Sequence, residues 1–161
     1  PESRSRSTTA APGRASRTDM QEEQRRAIEH DCARLINHYA NLTDAHEWEA
    51  IVALYTEDGL MTRPTAPDSP IVGRKALLEA FLSRPPRISQ HVCANIVVTA
   101  ESKSEASAYS IILLFTGKAA DDGGLPAKDA GPLVGYYRDR FKKTAEGWRF
   151  SERRGALTFR P

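Results

Sequence analysis

Apolar residues recur at helical spacing from residue 28 onward. They fall at steps of four, three, one and three: Ile28, Cys32, Leu35, Ile36 and Tyr39. This stripe predicts an amphipathic helix, because such spacing places all five side chains on one face. Charged residues occupy the opposite face, so the helix should cover a core on one side only.

A second helix is predicted from Trp48 to Tyr55 and should end at Asp58-Gly59. Residues 60–63 then form a short predicted strand, and the proline-rich residues 64–70 a predicted loop. Gly73 opens a third predicted helix over 74–83, which the diproline at 85–86 ends.

The rest of the chain is predicted to be sheet, with strands at 88–100, 105–117, 132–143 and 147–158. Helices followed by successive strands indicate the α+β class. We therefore expect a curved, mostly antiparallel sheet wrapped around the N-terminal helices as a cone. Residues 111–115 are apolar at odd and even positions alike, so both faces of that strand should be covered, the outer one by another subunit.

Composition and charge narrow the classes of function. Residues 1–19 are rich in Ser, Arg and Pro, and they carry four arginines and two acidic residues, so the net charge of +2 belongs to them. We expect a disordered basic tail or an expression remnant there, and one domain over 20–161. A neutral domain disfavours nucleic acid as a partner. The sequence has no apolar run long enough to span a membrane, so we expect no membrane partner. Its two cysteines do not form a disulfide framework, so we expect a reduced, cytoplasmic location.

The strand at 88–100 carries the best candidate for chemistry. His91 and Asn95 interrupt an otherwise apolar run and, with Cys93, share one face by the period of two. Asp44, at the junction of the first two helices, could reach His91 in the fold. A carboxylate on one ring nitrogen would fix the tautomer and stabilise the imidazolium. Asp44 also fits the N-cap of the second helix, with Glu47 three residues later, and the two roles are compatible.

Two further side chains are candidates beside this dyad. Tyr39 could present a hydroxyl to a pocket or be a core aromatic residue on the helical stripe. Arg153 or Arg154 must point inward on the last strand unless a bulge intervenes, and an inward arginine would stabilise developing negative charge. From the residues alone, a solvated arginine pair is the favoured alternative. The remaining histidines lack metal-ligand spacing, so we predict no metal site.

These pieces resemble the SnoaL-like branch of the nuclear transport factor 2-like superfamily over about residues 22–159. The matching segments are residues 39–44, 48–58, Gly73, 91–95, 137–139 and 147–153. The resemblance is strongest to scytalone dehydratase, hexachlorocyclohexane dehydrochlorinase and bile acid 7α-dehydratase, which eliminate without a cofactor through an Asp–His dyad.

The resemblance implies catalytic roles for four residues: Asp44, His91, Tyr39 and Arg153. Candidate substrate-binding residues are Asn95, Trp48, Tyr109, Tyr137 and Arg63. It also implies a homotrimer or homodimer through the outer sheet face. This chain departs from two members of the superfamily. Ser110 stands where scytalone dehydratase has a second histidine. The general-base aspartate that steroid isomerases carry near the position of Arg63 is missing.

The expected function is therefore a cofactor-independent lyase or dehydratase, or a related isomerase, acting on a cyclic apolar small molecule. One alternative is a non-catalytic binding or assembly module of the same fold. Another is the small subunit of a ring-hydroxylating dioxygenase, which would require a large partner subunit.

Overall fold

Three helices and seven strands are formed by residues 20–160, the part of the chain that this computed structural model describes. The helices are α1 (Glu22–Asp44), α2 (Trp48–Ala53) and α3 (Arg74–Leu82). The strands are β1 (Tyr55–Arg63), β2 (Ala66–Val72), β3 (Ile88–Ala100), β4 (Glu105–Lys118), β5 (Ala127–Lys128), β6 (Leu133–Thr144) and β7 (Gly147–Leu157). The predicted tail at 1–19 lies outside the described residues.

The strands form one open sheet in the order β2-β1-β7-β6-β4-β3, with the short β5 paired to the end of β4. All pairs are antiparallel except β1 with β7. The α+β class and the mostly antiparallel sheet are confirmed. The four long strands also begin and end within one or two residues of the prediction, because each is bounded by a turn.

Helix α1 packs its apolar stripe onto the sheet, chiefly onto β3. Ile28, Cys32, Ile36 and Tyr39 are all buried, as the spacing predicts. Both cysteines are free, and Cys93 packs partly buried against the same core. Among residues 20–160, no helix is both long and apolar enough to cross a membrane.

Two parts of the prediction between residues 55 and 72 were wrong, whereas the strand predicted at 60–63 is confirmed as the end of β1. The second helix stops at Ala53, and Tyr55 begins β1, because the Phe150 amide donates to the Leu54 carbonyl and draws the chain alongside β7. The predicted loop contains β2. Its prolines, Pro67 and Pro70, are tolerated because β2 is an edge strand that pairs on one side only.

The period of two fails along β3 at a β-bulge. The pairing with β4 shifts between Ala94 and Val97, and Asn95 adopts the left-handed conformation with φ of 50°. One extra residue exchanges the two faces of the strand. Ile96 and Val98 therefore pack against the core, while Asn95 is exposed. The expectation that His91, Cys93 and Asn95 share a face was wrong for Asn95.

The outer sheet face carries an apolar patch that we define by Val92, Val97, Tyr109 and Leu113. Val97 is 64% exposed and Tyr109 is 40% exposed. A contiguous exposed patch of this kind is typical of a protein–protein interface. That another subunit covers it stays a prediction.

We expect multi-angle light scattering to give the mass of a dimer or trimer of the 17.8 kDa chain. Val97→Lys places a charge in the patch and should lower the measured mass of the particle. A mass of one chain for the wild-type protein would contradict this expectation.

Candidate active site

The last residue of α1, Asp44, is held by three consecutive residues of β3. His91 donates from its backbone amide to Asp44 Oδ2 at 2.7 Å, and its Nδ1 lies 2.5 Å from Asp44 Oδ1. The Ser89 hydroxyl donates to Oδ1 at 2.9 Å, and the Gln90 side-chain amide to Oδ2 at 3.3 Å. The two side chains of the predicted dyad are therefore in contact.

The position of Asp44 is electrostatically unusual. A carboxylate at the C-terminal end of a helix opposes the helix dipole, typically by about 0.3–1 kcal/mol. Burial by itself would raise the pKa of Asp44, but the hydrogen bonds from the ring and backbone of His91 and from Ser89 outweigh burial and lower that pKa. Asp44 is thus kept ionised by β3.

This contact fixes the tautomer of His91. An ionised carboxylate can only accept a hydrogen bond, so Nδ1 carries the proton and Nε2 of the neutral ring presents its lone pair. The His91 side chain is 8% exposed and lines a cavity of the domain. The ring is therefore arranged as a base at a cavity wall.

The predicted capping role of Asp44 was wrong. Asp44 belongs to α1, the N-cap of α2 is Glu47, and neither side chain caps that helix. Helix α1 ends instead through His46, whose left-handed φ of 59° turns the chain before Trp48. The carboxylate is consequently free to face β3.

The cavity beside His91 has a volume of about 210 Å³. It lies between α1, the C-terminal half of β1, the loop after α3, and strands β3, β4, β6 and β7. Its apolar wall comes mainly from the sheet, through Ile112, Leu114, Leu133 and Leu157. An apolar cavity of about 150 Å³ is known to hold benzene, so this one is large enough for a single substituted ring.

Two phenols, Tyr39 and Tyr137, also line the cavity. The Tyr39 hydroxyl contacts the sulfur of Met61 at 3.6 Å, a weak acceptor. Burial raises the pKa of Tyr137 well above its ordinary value, so this phenol stays protonated and remains a donor. Its ring lies close to the backbone at Gly155, where a Cβ would approach Tyr137 Cε1 to 2.8 Å.

Arg153 does not reach the cavity wall. Its guanidinium is fully buried and donates from Nη1 to Asp139 at 2.7 Å. It also lies 4.4 Å from the ring centroid of Tyr39 and 3.8 Å from that of Tyr137. Arg153 therefore packs against the two phenol rings from the core and does not line the cavity. A direct contact with substrate would require it to leave Asp139.

The other predicted binding residues divide between three places. Arg63 lines the cavity and donates to the Ala80 carbonyl at 3.0 Å. Trp48 stacks between His46 and Phe81 and lines a smaller neighbouring cavity of about 140 Å³. Tyr109 stacks on Tyr136 on the outer sheet face, away from His91. Tyr109 and the exposed Asn95 are therefore not part of this site, which corrects the expectation for both.

Sequence reasoning missed Arg84 and Arg87, which line both cavities. They flank the diproline at 85–86, which we had interpreted only as the end of α3. Two arginines in a segment that cannot be helical were the available signal. Within residues 20–160, no cluster of three His, Cys, Asp or Glu side chains could hold a metal ion.

A SnoaL-like domain family model matches residues 24–154, which is most of the chain. The protein belongs to the SnoaL-like family. This confirms the resemblance expected from the sequence. Comparison with curated proteins gives no match.

Solved structures similar to this SnoaL-like domain include three proteins of Novosphingobium aromaticivorans. A candidate scytalone dehydratase is 23% identical with a TM-score of 0.65, covering 80% of this chain and 82% of its own. An NTF2-like protein with a cystatin-like fold is 23% identical with a TM-score of 0.68, covering 91% and 92%. A candidate aromatic ring hydroxylase is 18% identical with a TM-score of 0.68, covering 88% and 94%. At these identities the similarity shows the fold alone.

Proposed function

We propose that the protein is a cofactor-independent lyase that dehydrates a ring-sized small molecule, with His91 as the base and Asp44 as its partner. The observation that carries the proposal is the Asp44–His91 contact at the wall of an apolar cavity. The SnoaL-like family and the similarity in fold to a candidate scytalone dehydratase support the same reaction class.

The proposed step is an elimination next to a carbonyl. His91 Nε2 takes a proton from the ring carbon beside the carbonyl, and the electron pair of that C–H bond becomes the new C=C bond. Hydroxide leaves from the adjacent carbon and receives the proton from the imidazolium, so that water departs and His91 returns to its neutral form. The substrate becomes an enone, and nothing is oxidised or reduced.

Asp44 would act on this step through charge. Its carboxylate favours the imidazolium that forms when Nε2 accepts the proton, and its contact with Nδ1 keeps the ring in the reactive tautomer. Tyr137 or Tyr39 would donate a hydrogen bond to the carbonyl oxygen as negative charge develops there. Both phenols line the cavity, which makes either hydroxyl available to a bound ring.

Asp44→Asn tests the proposal, because it keeps the volume of the side chain and removes its charge. We expect wild-type protein to convert monocyclic β-hydroxy ketones such as 3-hydroxycyclohexanone to the enone, followed by ultraviolet absorbance. The variant should lose kcat by roughly 10²–10⁴, the range of general acid–base catalysis. Asp58→Asn, an exposed position on β1, is the matched control and should keep full activity. Equal rates for Asp44→Asn and wild type would exclude the dyad.

A binding module is the second candidate, favoured by one observation. Asp44 receives hydrogen bonds from the Ser89 hydroxyl and the His91 amide that would join α1 to β3 without any catalysis. In that case ring compounds would bind and none of the tested ketones would be turned over. The same absorbance assay therefore separates the two functions.

A further inference from the structure

We propose that the ligand of the cavity is a ring-sized carboxylate, held with its apolar ring against the sheet and its carboxylate on Arg84 and Arg87. The proposal deepens the proposed function. It rests on that function in one respect, which is that the bound carboxylate is taken to be the substrate. It assigns a binding role to two arginines that the dyad chemistry does not use.

The first observation is the sign of the charge around the cavity. Three arginines line it, Arg63, Arg84 and Arg87, and no aspartate or glutamate does. Among the ion pairs of residues 20–160, none involves any of these three side chains. A concave site lined by one sign of charge attracts and concentrates ligands of the opposite sign.

The second observation is that no carboxylate of residues 20–160 forms an ion pair with Arg84 or Arg87. Burial lowers the pKa of Arg87, the charge of Arg84 lowers it further, and the charge of Asp44 raises it. The oxygens of Asp44 already accept hydrogen bonds from Ser89, Gln90 and His91. The charges of Arg84 and Arg87 oppose each other, and a bound anion would relieve that repulsion.

The third observation is that Arg84 is held in place. Its guanidinium carbon lies 4.3 Å from the ring centroid of Phe81 and 5.8 Å from that of Trp48. Phe81 is fully buried and stacks on Trp48 at 5.6 Å, so the aromatic support is part of the packed domain. An arginine positioned on aromatic faces keeps its planar donors available, and such donors match a carboxylate with two parallel hydrogen bonds.

The shape of the site divides the ligand into two parts. Arg84 and Arg87 line both the cavity beside His91 and its smaller neighbour, so they lie where the two meet. The sheet side of the cavity beside His91 is apolar, through Ile112, Leu114 and Leu157. A carboxylate between the arginines would therefore leave the ring beside His91, with the reacting carbon within the cavity.

Isothermal titration calorimetry with cyclohexanecarboxylate and its neutral isostere cyclohexanecarboxamide tests the proposal. We expect the carboxylate to bind at least about tenfold more tightly, as one or more charge-assisted hydrogen bonds would give. Arg84→Met and Arg87→Met should each weaken the carboxylate by a similar factor and leave the amide unchanged, while Arg84→Lys should retain part of the preference. Arg34→Met, exposed on α1, is the control and should change neither. Equal affinity for the two probes, or a preference unaffected by both methionine variants, would overturn the proposal.

Binding and turnover fail separately in this design. The titration repeated on His91→Asn should preserve the preference for the carboxylate, because the arginines do not require the base. A preference that depends on the arginines, with neither neutral nor carboxylate-bearing β-hydroxy ketones turned over by any form of the protein, would sustain this inference and remove the lyase. Turnover of neutral ketones without a preference for the carboxylate would support the lyase and overturn the carboxylate site.

Discussion

His91→Asn is expected to lower kcat for ring dehydration by roughly 10²–10⁴ while leaving the protein folded. The side-chain amide of asparagine places a donor near the position of Nδ1, so the hydrogen bond to Asp44 can be kept. The variant has no atom equivalent to Nε2, and it therefore lacks the lone pair that is proposed to take the proton. The backbone amide of residue 91 still donates to Asp44, which preserves the junction between α1 and β3.

The measurement is kcat from enone absorbance, together with the midpoint of urea unfolding for the same preparations. His38→Asn is the matched control, since His38 is exposed on α1 and does not line the cavity. It should leave both quantities unchanged. If His91→Asn kept kcat within a few-fold of wild type, His91 would not be the base, and the dyad would have only the structural role of holding α1 to β3.

The sequence predicts this fold well where a local signal and the tertiary structure agree. The stripe from Ile28 to Tyr39 indicates α1, and the turns at 101–104 and 145–147 bound the long strands, so these elements appear as expected. The chemistry of Asp44 and His91 suggested that they pair, and the family resemblance supported that hypothesis. No local pattern says that the end of a helix meets a strand that begins more than forty residues later.

The remaining errors come from tertiary context. Whether proline is excluded from a strand depends on the strand's place in the sheet, and nothing in residues 66–72 shows that β2 is at the edge. The bulge at Asn95 is similar, because a shift of one residue against β4 exchanges the faces of β3. The capping pattern at Asp44 is sound by itself, but four donors on three residues of β3 compete for the same carboxylate.

Arg153 shows the same limit in a charged residue. The strand period predicted that either Arg153 or Arg154 points inward, and the family resemblance favoured Arg153. Arg154 lies on the exposed face with Glu152 at 2.8 Å. What the sequence could not show is that Asp139, on the neighbouring strand β6, pairs with Arg153 in register. The inward arginine therefore already has an anionic partner inside the protein, and this partner decides what the residue contributes.

Arg153→Met is expected to destabilise the protein by about 3–5 kcal/mol, because the buried carboxyl of Asp139 loses the partner that stabilises its charged form and must either stay charged without a partner or take up a proton. Both side chains are fully buried. Burial raises the pKa of Asp139 to about 6 while the charge of Arg153 opposes that rise, so the carboxylate is ionised at neutral pH. For a domain of this length the loss corresponds to a fall in Tm of roughly 6–20 °C.

Two further variants identify the cause of that loss. Arg154→Met removes the adjacent, exposed ion pair with Glu152 and should cost no more than about 1 kcal/mol, since surface pairs contribute little. The double variant Arg153→Met/Asp139→Leu replaces both charges with apolar groups and should recover most of the stability, because the cost arises from one unpaired charge and not from the missing pair. Urea unfolding at pH 7 gives all four free energies. If the double variant were as unstable as Arg153→Met alone, the stacking of Arg153 on Tyr39 and Tyr137 would be its main contribution, and the ion pair would be secondary.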